Sequence, residues 1–311
     1  MKIFVQNIAW LFIFLACNGC IEKADNIFGK QKPRIYIEGV ISTNQRTYVK
    51  VTLSATLLQN LSTYNIVKYP GVQDASVSIS DDAGNIDVLT LSTDETLAKA
   101  GYYINTTYHT KLTAGTAYTL KVVCNGQTYE AKEVMPVAPP AIDKVEFTTR
   151  KVKSNVIGGS FSIALVPLVS FSEPQDQENY YNFNYDIIKK GHSDSLKTYL
   201  DRYNARQMLL LFDDKHLEPE INRLGLGKEW PFSFPVYTGL GSDKMIYDRA
   251  IIQIQSWSKE AFNYYKVIEE QLRGSGAYSA TPAAPPGNLS NGALGFFRAV
   301  NIKTKSVEVK L

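Results

Sequence analysis

Short stretches that alternate apolar and polar residues recur between positions 34 and 134, and this pattern constrains the fold more than any other feature. The stretches 48–54 and 75–80 alternate strictly, and turn residues separate most stretches from the next. Asn125-Gly126, a dipeptide typical of a two-residue β-hairpin turn, lies between the last two. Because a period of two gives a strand one apolar face, about seven such stretches at roughly ten-residue spacing predict an antiparallel sandwich. The pattern is typical of an immunoglobulin- or fibronectin-like module.

A proline-rich segment at 136–141 marks the predicted domain boundary. It contains three prolines, which stiffen the backbone and remove donors from a β-ladder. We therefore predict a mainly β protein with two antiparallel β-sandwich-like domains, residues 33–135 and residues 142–311. The second domain contains one helix at 258–273 and a long insertion at 189–244, which we expect to be irregular apart from one short helix.

The strands of the second domain are predicted from the same alternation. Pro167 interrupts one of them, which favours an edge or bulged strand there. The helix is predicted from Ser258 as N-cap, an apolar spacing of three and four, and Gly274 as terminator. The predicted strands cover 142–147, 161–171, 180–187, 249–257 and 306–311. A separate stretch, 292–300, precedes the last of them.

The overall charge argues against a nucleic-acid-binding protein, and the cysteine count excludes an internal disulfide. The formal net charge is +3, and no basic stripe occurs. Of the three cysteines, two lie near the N-terminus, so only Cys124 belongs to the folded part. Its place in an alternating strand predicts a small buried side chain and not a catalytic thiol.

The N-terminus resembles a bacterial lipoprotein signal peptide. Lys2 precedes an apolar run that ends in Gly19-Cys20, and the run is far shorter than the roughly twenty residues of a transmembrane helix. We expect residues 1–19 to be removed, Cys20 to be acylated, and residues 20–32 to form a polar tether. Cys17 is the alternative acylation site, and an ordinary secretory peptide with incidental cysteines is the alternative interpretation.

Several stretches together resemble one known family, the Bacteroidetes lipoproteins catalogued as domain of unknown function 4249. The resemblance covers essentially the whole mature chain, and its most specific part is the last stretch. The stretches are the acidic segment after Cys20, Ile37-Glu38-Gly39, Met135-Pro136, Phe212-Asp213-Asp214, residues 256–265 and residues 291–297. Members of this family typically accompany TonB-dependent outer-membrane receptors. The resemblance therefore implies an uptake-associated binding role, and it brings no functional residues with it.

The chemical motifs of the chain are weak. Asp213-Asp214-Lys215-His216 contains metal-capable groups, but a solvated loop explains them better than a metal site does. The segment 81–87 resembles a calcium loop only faintly, and a hairpin turn explains it. His192-Ser193-Asp194 contains the three types of a catalytic triad at adjacent positions, which seldom converge in space. We predict no catalytic residue, no metal and no cofactor.

The best candidate for recognition is a set of aromatic side chains in the insertion. Such side chains give a large contact area at a small entropic cost. The equally weighted alternative is that they form local core. The set comprises Tyr199, Tyr203, Trp230, Phe232, Phe234 and Tyr237.

The sequence leaves more than one functional hypothesis. The first is a non-enzymatic binding protein, attached to the outer membrane at Cys20, that serves a TonB-dependent receptor or binds a ligand itself. The second is a lipid-anchored hydrolase of glycans or peptides, which requires paired carboxylates across a groove. A structural role in adhesion is a third hypothesis.

Overall fold

The fold is seen in a computed structural model, which describes residues 33–54, 71–105, 112–153, 161–189, 209–226, 247–274 and 285–309. Its strands are β1 (Ile35–Ser42), β2 (Tyr48–Leu53), β3 (Ser76–Asp81), β4 (Ile86–Leu91), β5 (Tyr102–Ile104), β6 (Ala117–Cys124), β7 (Gln127–Val134), β8 (Lys144–Lys153), β9 (Phe161–Ser172), β10 (Tyr180–Lys189), β11 (Leu210–Asp213), β12 (Glu220–Gly225), β13 (Tyr247–Ser256) and β14 (Leu294–Glu308). The helices are α1 (Glu95–Lys99) and α2 (Lys259–Gly274), and a 3-10 turn covers Asp214–His216.

The described strands form two sheets. The larger has eleven strands in the order β11-β10-β13-β14-β1-β2-β5-β4-β3-β6-β7, and the smaller has the order β12-β9-β8. Strands β1 and β14 pair in parallel, whereas the other recorded strand pairs are antiparallel. The prediction of a mainly β, sandwich-like fold is confirmed.

The first seven strands follow the predicted stretches closely. The hairpin between β6 and β7 turns at Asn125 and Gly126, whose φ angles are 52° and 72°. These left-handed angles are those of the turn that Asn-Gly favours. Cys124, at the end of β6, is a buried free thiol as predicted, and burial raises its pKa.

Strand β14 pairs with strands from both ends of the chain. Its first half, 294–300, lies beside β1, and its second half, 301–308, lies beside β13. The Asn301 side chain also donates to the carbonyl oxygen of Pro136, at 3.0 Å. The predicted boundaries 33–135, 136–141 and 142–311 stay a prediction, but the closing strand belongs to the sheet on both sides of that division.

Three local expectations need correction. The insertion is not irregular throughout, because β11 and β12 lie inside it. The two last stretches of the sequence form one strand, β14, and not two. The strand with Pro167 lies in the middle of the smaller sheet and not at its edge, although its pairing with β12 contains a register shift between Ile221 and Leu224.

Pro167 is tolerated in that middle strand because of its position in the ladder. Its carbonyl oxygen accepts the amide of Leu226, one residue beyond the end of β12. In an antiparallel ladder a residue directs its N–H and C=O to the same neighbour. The N–H that proline lacks would donate to the carbonyl oxygen of Leu226, which lies beyond the end of β12. No hydrogen bond between β9 and β12 proper is therefore lost.

The described core forms three apolar clusters. One lies between β1 and β14 on one side and β6 and β7 on the other, and contains Ile37, Phe297, Leu120 and Tyr129. A second lies under α2, and the third fills the space between the smaller sheet and β10 and β13. The second cluster fixes α2 on the sheet.

Candidate functional site

The residues predicted for recognition and anchoring cannot be located here. Cys20, Cys17 and the aromatic set Tyr199, Tyr203, Trp230, Phe232, Phe234 and Tyr237 lie outside the described residues. Their roles stay predictions. The candidate site that the structure does place is built on helix α2 and the short strand β11.

The Asp213–His216 motif lies at the end of β11 and in the following 3-10 turn. The Asp214 carboxylate accepts the Asn179 amide at 2.8 Å, so it holds the start of β10. Among the described residues no group of three or more His, Cys, Asp or Glu side chains could hold a metal ion. Here Asp214 has a structural contact.

The Asp81 segment is a hairpin turn, as predicted. The Asp81 carboxylate accepts the backbone amides of Ala83 and Asn85 at 3.1 and 2.8 Å. The pKa of Asp81 is lowered, first by the hydrogen bond from the Asn85 side chain. The carboxylate thus closes the loop between β3 and β4, which explains its presence without a bound ion.

A groove of about 270 Å³ runs between β11 and α2. We call it the α2–β11 groove. On the strand side it is lined by Leu211, Phe212 and Asp213, and on the helix side by Phe262, Lys266, Glu269 and Glu270. It therefore combines apolar side chains with one ammonium group and with carboxylates on both walls.

The start of α2 is fixed by a cap. The hydroxyl of Ser258 accepts the Ala261 amide at 3.1 Å, and its carbonyl accepts the Phe262 amide at 2.9 Å. Ser258 is therefore the predicted N-cap. The Phe262 ring lies 5.1 Å from the Tyr180 ring, which joins the helix wall of the groove to β10.

The middle of α2 is fixed by a buried arginine. The Arg298 guanidinium on β14 donates to the hydroxyl of Tyr265 and to Glu38, the latter at 3.3 Å. Its central carbon lies 4.4 Å from the Tyr265 ring centre and 5.3 Å from that of Trp257. The Arg298 side chain is 3% exposed. A buried charge with these contacts holds α2 in one position on the sheet.

The groups around Arg298 are shifted by burial. Burial lowers the pKa of Lys50, which lies opposite Glu38 on β2, and Glu38 partly opposes that effect. Burial raises the pKa of Tyr264 to about 12. Tyr264 therefore stays a neutral phenol at neutral pH.

A buried acid lies near the start of the helix. Glu133, on the inward face of β7, is 7% exposed and accepts the Asn288 amide at 3.3 Å. Burial raises its pKa to about 7, with a smaller contribution from Glu260, while hydrogen bonds from Ser258 and Asn288 oppose the shift. The protonation of Glu133 therefore changes near neutral pH.

Sequence reasoning missed Glu133 and Arg298, although a signal exists for the first. Tyr129, Ala131 and Glu133 occupy alternate positions of β7, and all three are buried. A charged residue at an inward position of an alternating strand is expected to have a specific partner. Arg298 lies in a stretch of β14 that is buried on both faces, so alternation does not single it out.

The α2–β11 groove offers apolar contact, one ammonium group and carboxylates on both walls. In the described part of the chain, no helix is both long and apolar enough to cross a membrane. No curated protein is significantly similar to the chain. One family model, described as a domain of unknown function (DUF4249), matches residues 22–306. Since this match covers most of the chain, the protein belongs to the DUF4249 family, as the sequence predicted.

Proposed function

We propose that this protein is a lipid-anchored binding protein of the outer membrane, attached through Cys20 and accessory to a TonB-dependent receptor in nutrient uptake. The family match begins at residue 22, two positions after Cys20. That start is what a mature chain beginning at Cys20 would give. The first strand begins at Ile35, after the segment 20–32 for which we propose the role of a polar tether.

The anchor is tested on the protein extracted from membranes. Mass spectrometry of the N-terminal peptide should show a chain that starts at Cys20 and carries acyl groups. Cys20→Ser should release the protein from the membrane, whereas Cys17→Ser should leave it attached. A membrane-bound Cys20→Ser protein, or acyl groups on Cys17, would overturn this assignment.

The observation that carries the binding role is the α2–β11 groove. At about 270 Å³ it is slightly smaller than the roughly 300–1,000 Å³ of typical small-molecule pockets. Lys266 and Glu270 on its helix wall are exposed, and Leu211 and Phe212 on its strand wall are half-buried. Such a mixed, open groove suits side chains of a protein partner, because it combines apolar surface with exposed charges.

Co-purification tests this role. The wild-type protein should recover a receptor from detergent-solubilised outer membrane, and Lys266→Glu should recover less of it, because it reverses a charge in the groove. Lys121→Glu, an exposed substitution on β6, serves as the matched control and should recover as much as wild type. Recovery of no receptor by the wild type would count against the proposal.

A hydrolase is the second candidate, and the groove supplies the observation in its favour. Asp213 stands on one wall, and Glu269 and Glu270 stand on the other. Glycosidases use two carboxyl groups that face each other across the substrate. The wild-type protein should then release sugars or peptides from its substrate. A rate of release that falls at least about a hundredfold in both Asp213→Asn and Glu270→Gln would favour this candidate. Absence of turnover on a broad glycan and peptide panel would remove it.

A further inference from the structure

Strand β7 is the last strand of the larger sheet, and its outer edge is covered by a segment from the far end of the chain. The Ser290 amide donates to the carbonyl oxygen of Glu130 at 2.8 Å, and the Ser290 hydroxyl accepts the Glu130 amide at 2.8 Å. The Asn291 side chain donates to the carbonyl oxygen of Thr128 at 2.7 Å. Residues 288–291, which we call the seam segment, therefore serve β7 in place of a further strand.

The seam segment is also fixed to β14. The Asn288 side chain accepts the Phe297 amide at 2.9 Å and donates to the Phe297 carbonyl oxygen at 2.7 Å. Phe297 lies in the half of β14 that pairs with β1 on its other side. The segment thus joins the two ends of the strand series β14-β1-β2-β5-β4-β3-β6-β7 around the first apolar cluster. We call this junction the β7–β14 seam.

One buried carboxyl group connects the seam to helix α2. Glu133 of β7 accepts the Asn288 amide, the same group that donates to Phe297. Glu133 also accepts the hydroxyl of Ser258, the N-cap of α2. The seam segment adds one apolar side chain, Leu289, to the cluster beneath it. Its attachment therefore depends mainly on hydrogen bonds, as is typical of segments that open locally.

The groups that act on Glu133 are two neutral donors and one like charge, the exposed Glu260 of α2. Opposite Glu133 on β6 lies the phenol of Tyr118, and the seam segment contains no ionisable side chain. The nearby cations have other contacts. Arg298 of β14 donates to side chains of β1 and α2, and Lys259 is exposed and pairs with an acid just before β10. An ionised carboxylate is therefore costly here, whereas a neutral carboxyl group keeps the same contacts.

We propose that the β7–β14 seam is a pH-sensitive latch, which is closed while Glu133 is protonated and which releases the seam segment and the first turn of α2 when Glu133 ionises. In the open state water solvates the carboxylate, which the closed seam prevents. Burial raises the pKa of Glu133 from 4.5 to about 7, so the closed seam is favoured most below pH 4.5 and loses that advantage as the pH rises to about 7. The latch depends neither on the α2–β11 groove nor on the membrane anchor.

Hydrogen exchange of the full chain between pH 5 and pH 8 tests the latch. Each amide is expressed as a protection factor, so that the ordinary pH dependence of exchange cancels. The difference in pKa between the closed and open states predicts an opening equilibrium that rises about 70-fold between these limits. The protection factors of the Ser290 and Phe297 amides, both bonded across the seam, should fall by that factor.

Urea separates the latch from global unfolding. The effect of urea scales with the surface that an opening exposes, so low urea should leave exchange at Ser290 and Phe297 unchanged. Val51 of β2 is the reference, because its amide donates to the carbonyl oxygen of Gly101 away from the seam. Its protection factor should be higher than those of the seam amides and should fall as urea is added.

Three variants locate the effect. Glu133→Gln removes the ionisation, so its seam amides should keep one protection factor from pH 5 to pH 8. Glu260→Lys places a cation near Glu133, favours its charged form in the closed seam, and should reduce the fall; it carries the test if Glu133→Gln does not fold. Glu130→Gln, with its side chain on the outward face of the same strand, should behave as wild type.

The results that would overturn the latch are equally specific. They are seam amides that keep their protection in wild type, or that lose it equally in Glu133→Gln. An undiminished fall in Glu260→Lys also contradicts the proposal. So does seam exchange that matches Val51 in both protection factor and urea dependence, because the seam would then open only when the whole protein unfolds.

Discussion

Glu133→Gln is the substitution whose effect follows most directly from the structure. The side chain is buried where β7 meets the start of α2, and its hydrogen-bond donors are the neutral groups of Ser258 and Asn288. Glutamine keeps the size of the side chain and removes its ionisation. The variant therefore tests the protonation of this group rather than its packing.

The magnitude follows from the pKa. The folded protein raises the pKa of Glu133 from 4.5 to about 7, so the folded state holds the proton more tightly than the unfolded state. Its stabilising contribution is complete below pH 4.5 and is lost as the pH rises to about 7. At about 1.4 kcal/mol per pH unit, the loss is about 3 kcal/mol of unfolding free energy. Glutamine loses nothing over this range.

The assay is urea unfolding between pH 4 and pH 8. The unfolding free energy of Glu133→Gln relative to wild type should rise by about 3 kcal/mol between these limits, and most of the rise should occur between pH 4.5 and 7. Glu130→Gln, on the outward face of the same strand, is the matched control and should follow the wild-type curve. A difference between Glu133→Gln and wild type that stays constant over the whole range would show that folding does not raise the pKa of Glu133.

Three further predictions concern stability and reactivity. In urea unfolding, Arg298→Met should lower the unfolding free energy by about 3 kcal/mol or more, because the Glu38 carboxylate loses its buried partner. Adding Glu38→Gln to the same chain should restore part of the lost free energy, because it removes the carboxylate. Gly295→Ala should abolish the folded yield, since its φ is 105° and a Cβ there would overlap the backbone of β1. Gly84→Ala, in an open turn with φ of 87°, should cost only about 1–2 kcal/mol by the same assay. The Cys124 thiol should react with a thiol reagent only at the rate of unfolding, because it is buried and burial raises its pKa; fast reaction of the native protein would contradict this.

The sequence predicts the strands well where one face is buried and short turns separate them. The hairpin β6–β7 is an example, because Asn125-Gly126 sets the turn and alternation sets the faces. Helix α2 is another, since Ser258 caps it as expected. Both are local features, and local pattern decides them.

The sequence does not predict what depends on distant pairing. Strand β14 looks like two elements because residues 294–302 are mostly apolar whereas 303–308 alternate with charge, yet both halves belong to one strand. Its parallel pairing with β1 joins residues about 260 positions apart, such as Tyr36 and Leu294, and no local pattern encodes that contact. The α2–β11 groove depends on the same long-range assembly.

We propose that the anchored protein binds a receptor through the α2–β11 groove. Photo-crosslinking tests this binding, with a photo-reactive amino acid at position 266 in cells that make the lipidated chain. We expect a crosslinked product with a larger outer-membrane protein, and far less of it from the same probe at position 121. Equal products from both positions, or none from position 266, would contradict it.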